Sequence, residues 1–84
     1  MERERTYRGI SVRAARGYLA GLGGEPSGDG AVVGEGWRAE LSSRTVGVGP
    51  TLTLTEVTVR FEGDGDVLPG LIEAFSAKAV RAGG

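Results

Sequence analysis

Apolar residues recur at helical spacing in two segments of the chain. The first stripe comprises Val12, Ala15, Leu19 and Leu22, and the second comprises Leu68, Leu71, Ile72, Phe75 and Ala79. Ser11 precedes the first stripe, and its hydroxyl can accept a free N–H of the first helical turn. Asp66 precedes the second stripe as a predicted cap, and Pro69 suits a first turn because its missing N–H has no helical partner there. The pattern therefore predicts two amphipathic helices.

Between these helices the period changes to two residues, which is typical of β-strands. Trp37, Ala39 and Leu41 alternate with charged or hydroxyl residues, so we expect one buried strand face with Trp37 in the core. The glycines at 34 and 36 predict a turn before Trp37, and "SSR" predicts a turn before residue 44. The predicted strands are residues 5–10, 31–33, 37–42, 44–48 and 51–62.

The last predicted strand contains an irregularity in its alternation. Its apolar residues occupy even positions at Leu52 and Leu54, then odd positions at Val57, Val59 and Phe61. A β-bulge near residues 55–56 would return both sets to one face. A long regular strand whose two ends pack on different partners explains the same pattern, so both interpretations stay open.

The order of these elements predicts the fold class. We expect a single α+β domain over residues 1–84, in the order β-α-β-β-β-β-α, with two helices covering one face of an antiparallel sheet. The segment "GLGGEPSGDG" at 21–30 contains five glycines, which predicts a mobile surface loop.

The composition excludes most catalytic chemistry. The chain contains no Cys and no His, so it lacks a thiolate nucleophile, the usual general base and the commonest metal ligands. The acidic residues from Glu62 to Glu73 match part of a calcium-loop spacing, but Val67 stands where that loop requires glycine. We therefore predict no catalytic residue, no metal site and no cofactor, and we expect a protein that is not an enzyme.

The charge and hydropathy narrow the class of partner. Ten basic and eleven acidic residues give a net charge of -1, which argues against a nucleic-acid binder. No apolar run approaches the ~20 residues that span a bilayer. The start "MERERTYRG" has no apolar segment typical of a secretion signal, so we expect a cytoplasmic protein that binds neither nucleic acid nor membrane.

Three arginines are predicted to share the helix-free face of the sheet. Arg8, Arg38 and Arg60 are candidate residues for an anionic partner or small anion. Glu40 and Thr58 are expected on the same face. Mixed signs are more typical of a solvated face, so the anion site is the less favoured interpretation.

Two segments resemble a known family. "LTLTEVTVRFEGD" and "LIEAFSAKAVRAGG", preceded by "YRGISVRAARGYL", resemble the C-terminal domain of MoaD-related proteins over nearly the whole chain. The resemblance implies a TBP-like α+β fold. In two-domain relatives this module follows a β-grasp domain similar to the small sulfur-carrying subunit of molybdopterin synthase, which we do not expect in this sequence.

The resemblance implies a function without assigning a reaction. Some small archaeal proteins that end in Gly-Gly are candidates for ubiquitin-like modifiers, and this chain looks similar to them. We therefore expect a non-enzymatic partner or carrier in a MoaD-like, ubiquitin-like sulfur-transfer or modifier system. Its expected partner is a β-grasp carrier or an E1-like activating enzyme. The alternative is a TBP-like module that binds a small ligand or anion.

The diglycine Gly83-Gly84 is the candidate carrier or conjugation site. A reactive tail needs several extended residues after the last packed element, because its carboxylate must enter an activating enzyme. The helical stripe continues to Ala82, and glycine after a helix is a common stop, so a helix stop is the favoured interpretation. A helix stop needs no second glycine, which keeps the reactive tail open as the alternative.

Overall fold

The computed structural model describes residues 1–28 and 30–83, which form one small α+β domain. Its elements are β1 (Glu2–Arg8), α1 (Val12–Gly21), β2 (Glu25–Ser27), β3 (Ala31–Gly34), β4 (Trp37–Gly47), β5 (Thr53–Gly63) and α2 (Leu68–Gly83). The strands form a five-stranded sheet in the order β1-β5-β4-β3-β2, and each neighbouring pair is antiparallel.

The register of β5 is continuous along both of its neighbours. It pairs with β4 from Trp37↔Gly63 to Gly47↔Thr53 and with β1 from Glu2↔Glu62 to Arg8↔Glu56. Of the two interpretations that the sequence left open, the β-bulge is therefore wrong. A regular strand suffices because Leu52 and Leu54 lie beyond the part of the sheet that the helices cover, where they are 61% and 38% exposed.

The core lies between both helices and one face of the sheet. Its buried residues are Ile10, Ala15, Leu19, Val32, Trp37, Ala39, Val57, Val59, Phe61, Leu68, Leu71, Phe75 and Ala79. Phe75 is at the centre, with its ring edge-to-face against Tyr7, Tyr18 and Phe61 at centroid distances of 5.0, 6.1 and 5.8 Å. The buried positions predicted for Trp37 and Phe75 are confirmed.

Both helices occur where the apolar stripes predicted them. The Ser11 hydroxyl accepts the Ala14 N–H at 3.0 Å, which confirms the predicted cap of α1. Pro69 lies in the first turn of α2, also as predicted. The cap predicted at Asp66 is wrong, because the backbone carbonyl of Asp64 accepts the N–H groups of Val67 and Leu68 at 3.0 Å.

The strands differ from the prediction at three places. The predicted break at residues 42–44 is absent, since β4 pairs with β5 throughout its length. Residues 25–27 were predicted as loop, yet they form β2 by pairing with β3. Strand β1 begins at Glu2 instead of residue 5 because its charged N-terminal half pairs with β5. In each case backbone pairing with another strand outweighs local preference.

The ends of β4 and β5 extend beyond the core as a two-stranded arm, residues 43–55. All residues of the arm are exposed except the half-buried Val46. The molecule is correspondingly elongated, with principal extents of 43 × 24 × 21 Å. The arm therefore presents two strands of the sheet to solvent.

Candidate functional site

Gly83, the first residue of the candidate diglycine, lies in helical backbone. Helix α2 includes Gly83, and Arg81 lies in its last turn, where a cation interacts favourably with the helix dipole. The predicted end of the helix at Ala82 is thus one residue short. The other half of the candidate site, Gly84, lies outside the described residues. Up to Gly83 the described backbone contains no extended segment after the last packed turn, in which Ala79 is 3% exposed.

The three candidate arginines lie on the helix-free face of the sheet. In β5, the odd-numbered Val57, Val59 and Phe61 face the core, so the even-numbered residues face the other side. Directly paired residues share a face, and the register places Arg8 opposite Glu56, Arg38 opposite Glu62 and Arg60 opposite Glu40 and Glu4. The shared face that the sequence predicted is therefore confirmed.

At one end of this face, acidic side chains engage Arg38 and Arg60. Arg60 donates to Glu2 at 2.8 Å and lies 3.7 Å from Glu62, while Arg38 donates to Glu40 at 3.4 Å. The hydrogen bond to Glu2 raises the pKa of Arg60, and the same bond is the main cause of the lowered pKa of Glu2. These side chains are about half exposed, so solvent screens the ion pairs.

Arg8 belongs to a second cluster, at the base of the arm. The side chain of Glu56 is 8% exposed and accepts from Arg8 Nε and Arg44 Nε, both at 2.9 Å. The hydrogen bond from Arg8 is the main cause of the lowered pKa of the Glu56 carboxyl, and the hydrogen bond from Arg44 is the second. Both bonds favour the charged form of the carboxyl. We call Arg8, Glu56 and Arg44 the arginine clamp.

The arginine clamp carries a surplus positive charge that faces solvent. Its two cations surround one carboxylate, and the side chains of Arg8 and Arg44 are 59% and 73% exposed. Within the described part of the chain, the terminal guanidinium nitrogens of both arginines make no hydrogen bond. These nitrogens are able to contact an anion, as planar guanidinium groups commonly do.

Sequence reasoning identified one member of the clamp and missed two. Arg8 was a candidate, whereas Arg44 and Glu56 were not. The available signal was Glu56 itself, a lone carboxylate within the β-branched run of "TLTEVTV". Its partners lie 48 and 12 residues away, so only the strand register identifies them.

The concave surfaces of the helix-free face are shallow. One depression of about 380 Å³ is lined by Ser27, Gly28, Gly30, Ala31, Arg38, Glu40 and Leu41. A second, of about 190 Å³, is lined by Glu4, Glu40, Leu41, Ser42, Thr58 and Arg60. Glu40 contributes a carboxylate to both, so neither depression presents an arginine without a neighbouring acid. The structure therefore brings Arg38 and Arg60 close together but separates them from Arg8.

Two further properties follow from the described residues. Among them, no group of three or more Asp and Glu side chains is placed to hold a metal ion. None of the helices in the described ranges combines the length and apolar character needed to cross a membrane.

Comparison with known proteins places these features in a family context. A family model described as archaeal MoaD-like protein matches residues 3–84, which include both helices and all the strands except the first residue of β1. No curated protein matches the chain.

Proposed function

Because the chain belongs to the archaeal MoaD-like family, we propose that it is a non-enzymatic partner protein of a ubiquitin-like sulfur-carrier or protein-modifier system. It acts either by docking onto another protein of that system or through Gly83-Gly84. The observation that carries the proposal is the family match over residues 3–84. Its partner is a β-grasp carrier or an E1-like activating enzyme.

The backbone of α2 favours docking over a reactive tail. A carboxylate that is adenylated must reach the active site of the activating enzyme at the end of an extended segment. The residues before the diglycine are instead helical, and Phe75 and Ala79 hold this helix against the sheet. Use of Gly83 as part of a tail would require the last turns of α2 to unwind.

Two measurements on one mixture separate the two modes. The protein is incubated with ATP, a sulfur source, an E1-like enzyme and a β-grasp carrier, all from its own host. For docking we expect a stable complex by size-exclusion chromatography and an unchanged intact mass of the chain. For a reactive tail we expect a mass increase from replacement of one carboxylate oxygen by sulfur, or from an isopeptide bond.

A variant without Gly83 and Gly84 serves as the matched control. Docking through the folded domain should survive this deletion, since the two residues follow Ala79, the last residue of α2 that is described as buried. A tail mechanism should lose every covalent product. A protein that neither forms a complex nor changes mass with its host's carrier and activating enzyme would contradict the proposal.

The arginine clamp supports a second candidate function, the binding of a small anion. Its surplus charge and outward-facing guanidinium nitrogens suit a carboxylate or phosphate. Titration with inorganic phosphate should shift the side-chain NMR signals of Arg8 and Arg44 and leave those of Arg38 unchanged. Equal, weak shifts at all three arginines would indicate only that added phosphate screens their charges without binding at a site. That result would reject this candidate function.

The proposal also includes a role without catalysis, a cytoplasmic location and a TBP-like fold. The absence of His and Cys from the sequence supports a role without catalysis of its own. Action beside a carrier and its activating enzyme is consistent with a cytoplasmic location. The TBP-like assignment is supported by the observed succession of one strand, a helix, four strands and a second helix.

A further inference from the structure

Among the described residues, no strand pairs with the outer edge of β4 along the arm. Strand β3 pairs with β4 only between Trp37 and Glu40, and one more bond joins the N–H of Leu41 to Gly30. From Arg44 to Gly47, β4 pairs with β5 on one side. On the other side, no residue in the described part of the chain bonds to it.

The hydrogen-bond pattern of the arm shows which backbone groups face outward. The N–H of Val48 donates to the carbonyl of Leu52 at 2.9 Å, so even-numbered residues of β4 bond to β5. Bonded and non-bonded pairs alternate in an antiparallel ladder. The N–H and C=O groups of Thr45 and Gly47 therefore point away from β5, toward solvent.

This edge carries little protection against pairing with another strand. Natural edges are commonly blocked by charges, proline or bulges. The register here is continuous, residues 44–48 contain no proline, and their only charge is Arg44, whose Nε is held by Glu56. Half-buried Val46 and the exposed Val48, Leu52 and Leu54 add apolar surface to the arm.

We propose that the arm is a self-association surface, in which the β4 edge pairs antiparallel with the β4 edge of a second copy. The two-fold axis passes between the Val46 residues of the two copies. Thr45 and Gly47 of each chain then bond to Gly47 and Thr45 of the other. The five-stranded sheets join into one continuous sheet of ten strands.

The register follows from side-chain complementarity. Val46 lies beside Leu54 on the helix-free face, so this register forms the row Leu54–Val46–Val46–Leu54 across four strands. The central pair is a non-hydrogen-bonded pair, in which side chains approach most closely. Arg44 lies opposite Val48 of the second copy, so no like charges face each other.

A second copy suits this edge better than an unrelated strand. Each copy supplies a glycine-containing edge of the same length, whose only charge is Arg44, and one two-fold operation satisfies the outward groups of both. The closed pair leaves no free β4 edge for further addition. This inference is independent of the proposed function, since it involves neither Gly83-Gly84 nor a carrier.

Single-cysteine cross-linking tests the register directly, because the native chain contains no cysteine. In Val46→Cys the two cysteines occupy a non-hydrogen-bonded pair. The Cα atoms of such a pair are about 4.5 Å apart, a distance that suits a disulfide. We expect a covalent dimer that forms at least about ten times faster than in Val80→Cys. Val80 is the matched control, as it is 68% exposed and lies on α2, outside both strands of the arm.

Sedimentation of variants without cysteine provides the second test. The wild-type chain should approach twice its monomer mass as concentration rises. Val46→Lys should remain monomeric, because it places two cations on the axis, whereas Val80→Lys should associate like the wild type. A wild-type chain that stays monomeric, or faster cross-linking of Leu52→Cys than of Val46→Cys, would overturn the proposal. The second result would assign pairing to the β5 edge.

Discussion

At the scale of single residues, Glu56 is the most constrained ionisable group of the described structure. It is a carboxylate on the helix-free face that is almost fully covered, and two arginines from different strands bind its two oxygens. Removal of one member of such an ion-paired cluster leaves the remaining charges without partners, which destabilises the fold. Arg8 and Arg44 thereby join β1 and β4 across β5, at the point where the arm begins.

Replacement of Glu56 should change how stability depends on pH. The folded-state pKa of Glu56 is lowered from its ordinary value of 4.5, so its stabilising contribution is complete above that pH. The contribution is lost as pH falls below 4.5 through the lowered folded-state pKa. We therefore expect Glu56→Gln to be less stable than wild type at pH 7, with the difference shrinking as the pH decreases toward 3.

Chemical denaturation at a series of pH values measures this difference. Glu2→Gln is the matched control, since Glu2 also has a lowered pKa through Arg60 but its side chain is 52% exposed. Solvent screening should make its effect at pH 7 much smaller. A Glu56→Gln variant as stable as wild type at pH 7 would mean that the arginine clamp contributes nothing to folding.

At the scale of secondary-structure elements, α1 is a short helix with a weak point. It has ten residues, a confirmed Ser11 cap and a buried side formed by Ala15 and Leu19. Gly17 lies on its exposed side, where glycine increases the conformational entropy lost on folding. A Cβ added at Gly17 would meet no atom within 4 Å.

Gly17→Ala should therefore stabilise the protein. The expected gain is ~0.5–1 kcal/mol in the free energy of unfolding, the usual difference between the two residues within a helix. Urea titration followed by circular dichroism measures it. Gly24→Ala is the opposite control, because the added Cβ would collide with the side chains of Val32 and Trp37. This substitution should therefore lower the free energy of unfolding. A destabilised Gly17→Ala variant would show that α1 packs differently at this position.

At the scale of the whole molecule, one core joins all the larger elements. Helix α1 contacts β2, β3 and β4, helix α2 contacts β1 and β5, and the two helices contact each other. Residues from both helices and from the three central strands belong to the same buried cluster. We therefore expect neither half of the chain to retain its structure when the other unfolds.

Thermal or urea unfolding should accordingly be a single transition. Trp37, the only tryptophan, reports on the side of the core near α1, while far-UV circular dichroism reports on all elements. The two midpoints should coincide at one low protein concentration, as two-state unfolding requires. An earlier fluorescence transition would show that α1 and the strands beside it form a separate unit.

The sequence by itself determined the helices and the centre of the core. The Ser11 cap, the first-turn proline and the apolar stripes depend on residues within one or two turns of one another, so local spacing was enough to predict α1 and α2. The alternation around Trp37 similarly predicted a buried strand face. These features are local, and the tertiary structure left them unchanged except at their ends.

Only the tertiary structure decided how the strands combine. Local signals favoured a break in β4 and a loop at residues 25–27, but pairing with β5 and β3 satisfies the backbone groups of both segments and makes them strands. The same pairing brings Arg8, Arg44 and Glu56 together from three strands. A local pattern specifies which face a side chain occupies within its strand, whereas its neighbours depend on a register set by distant residues.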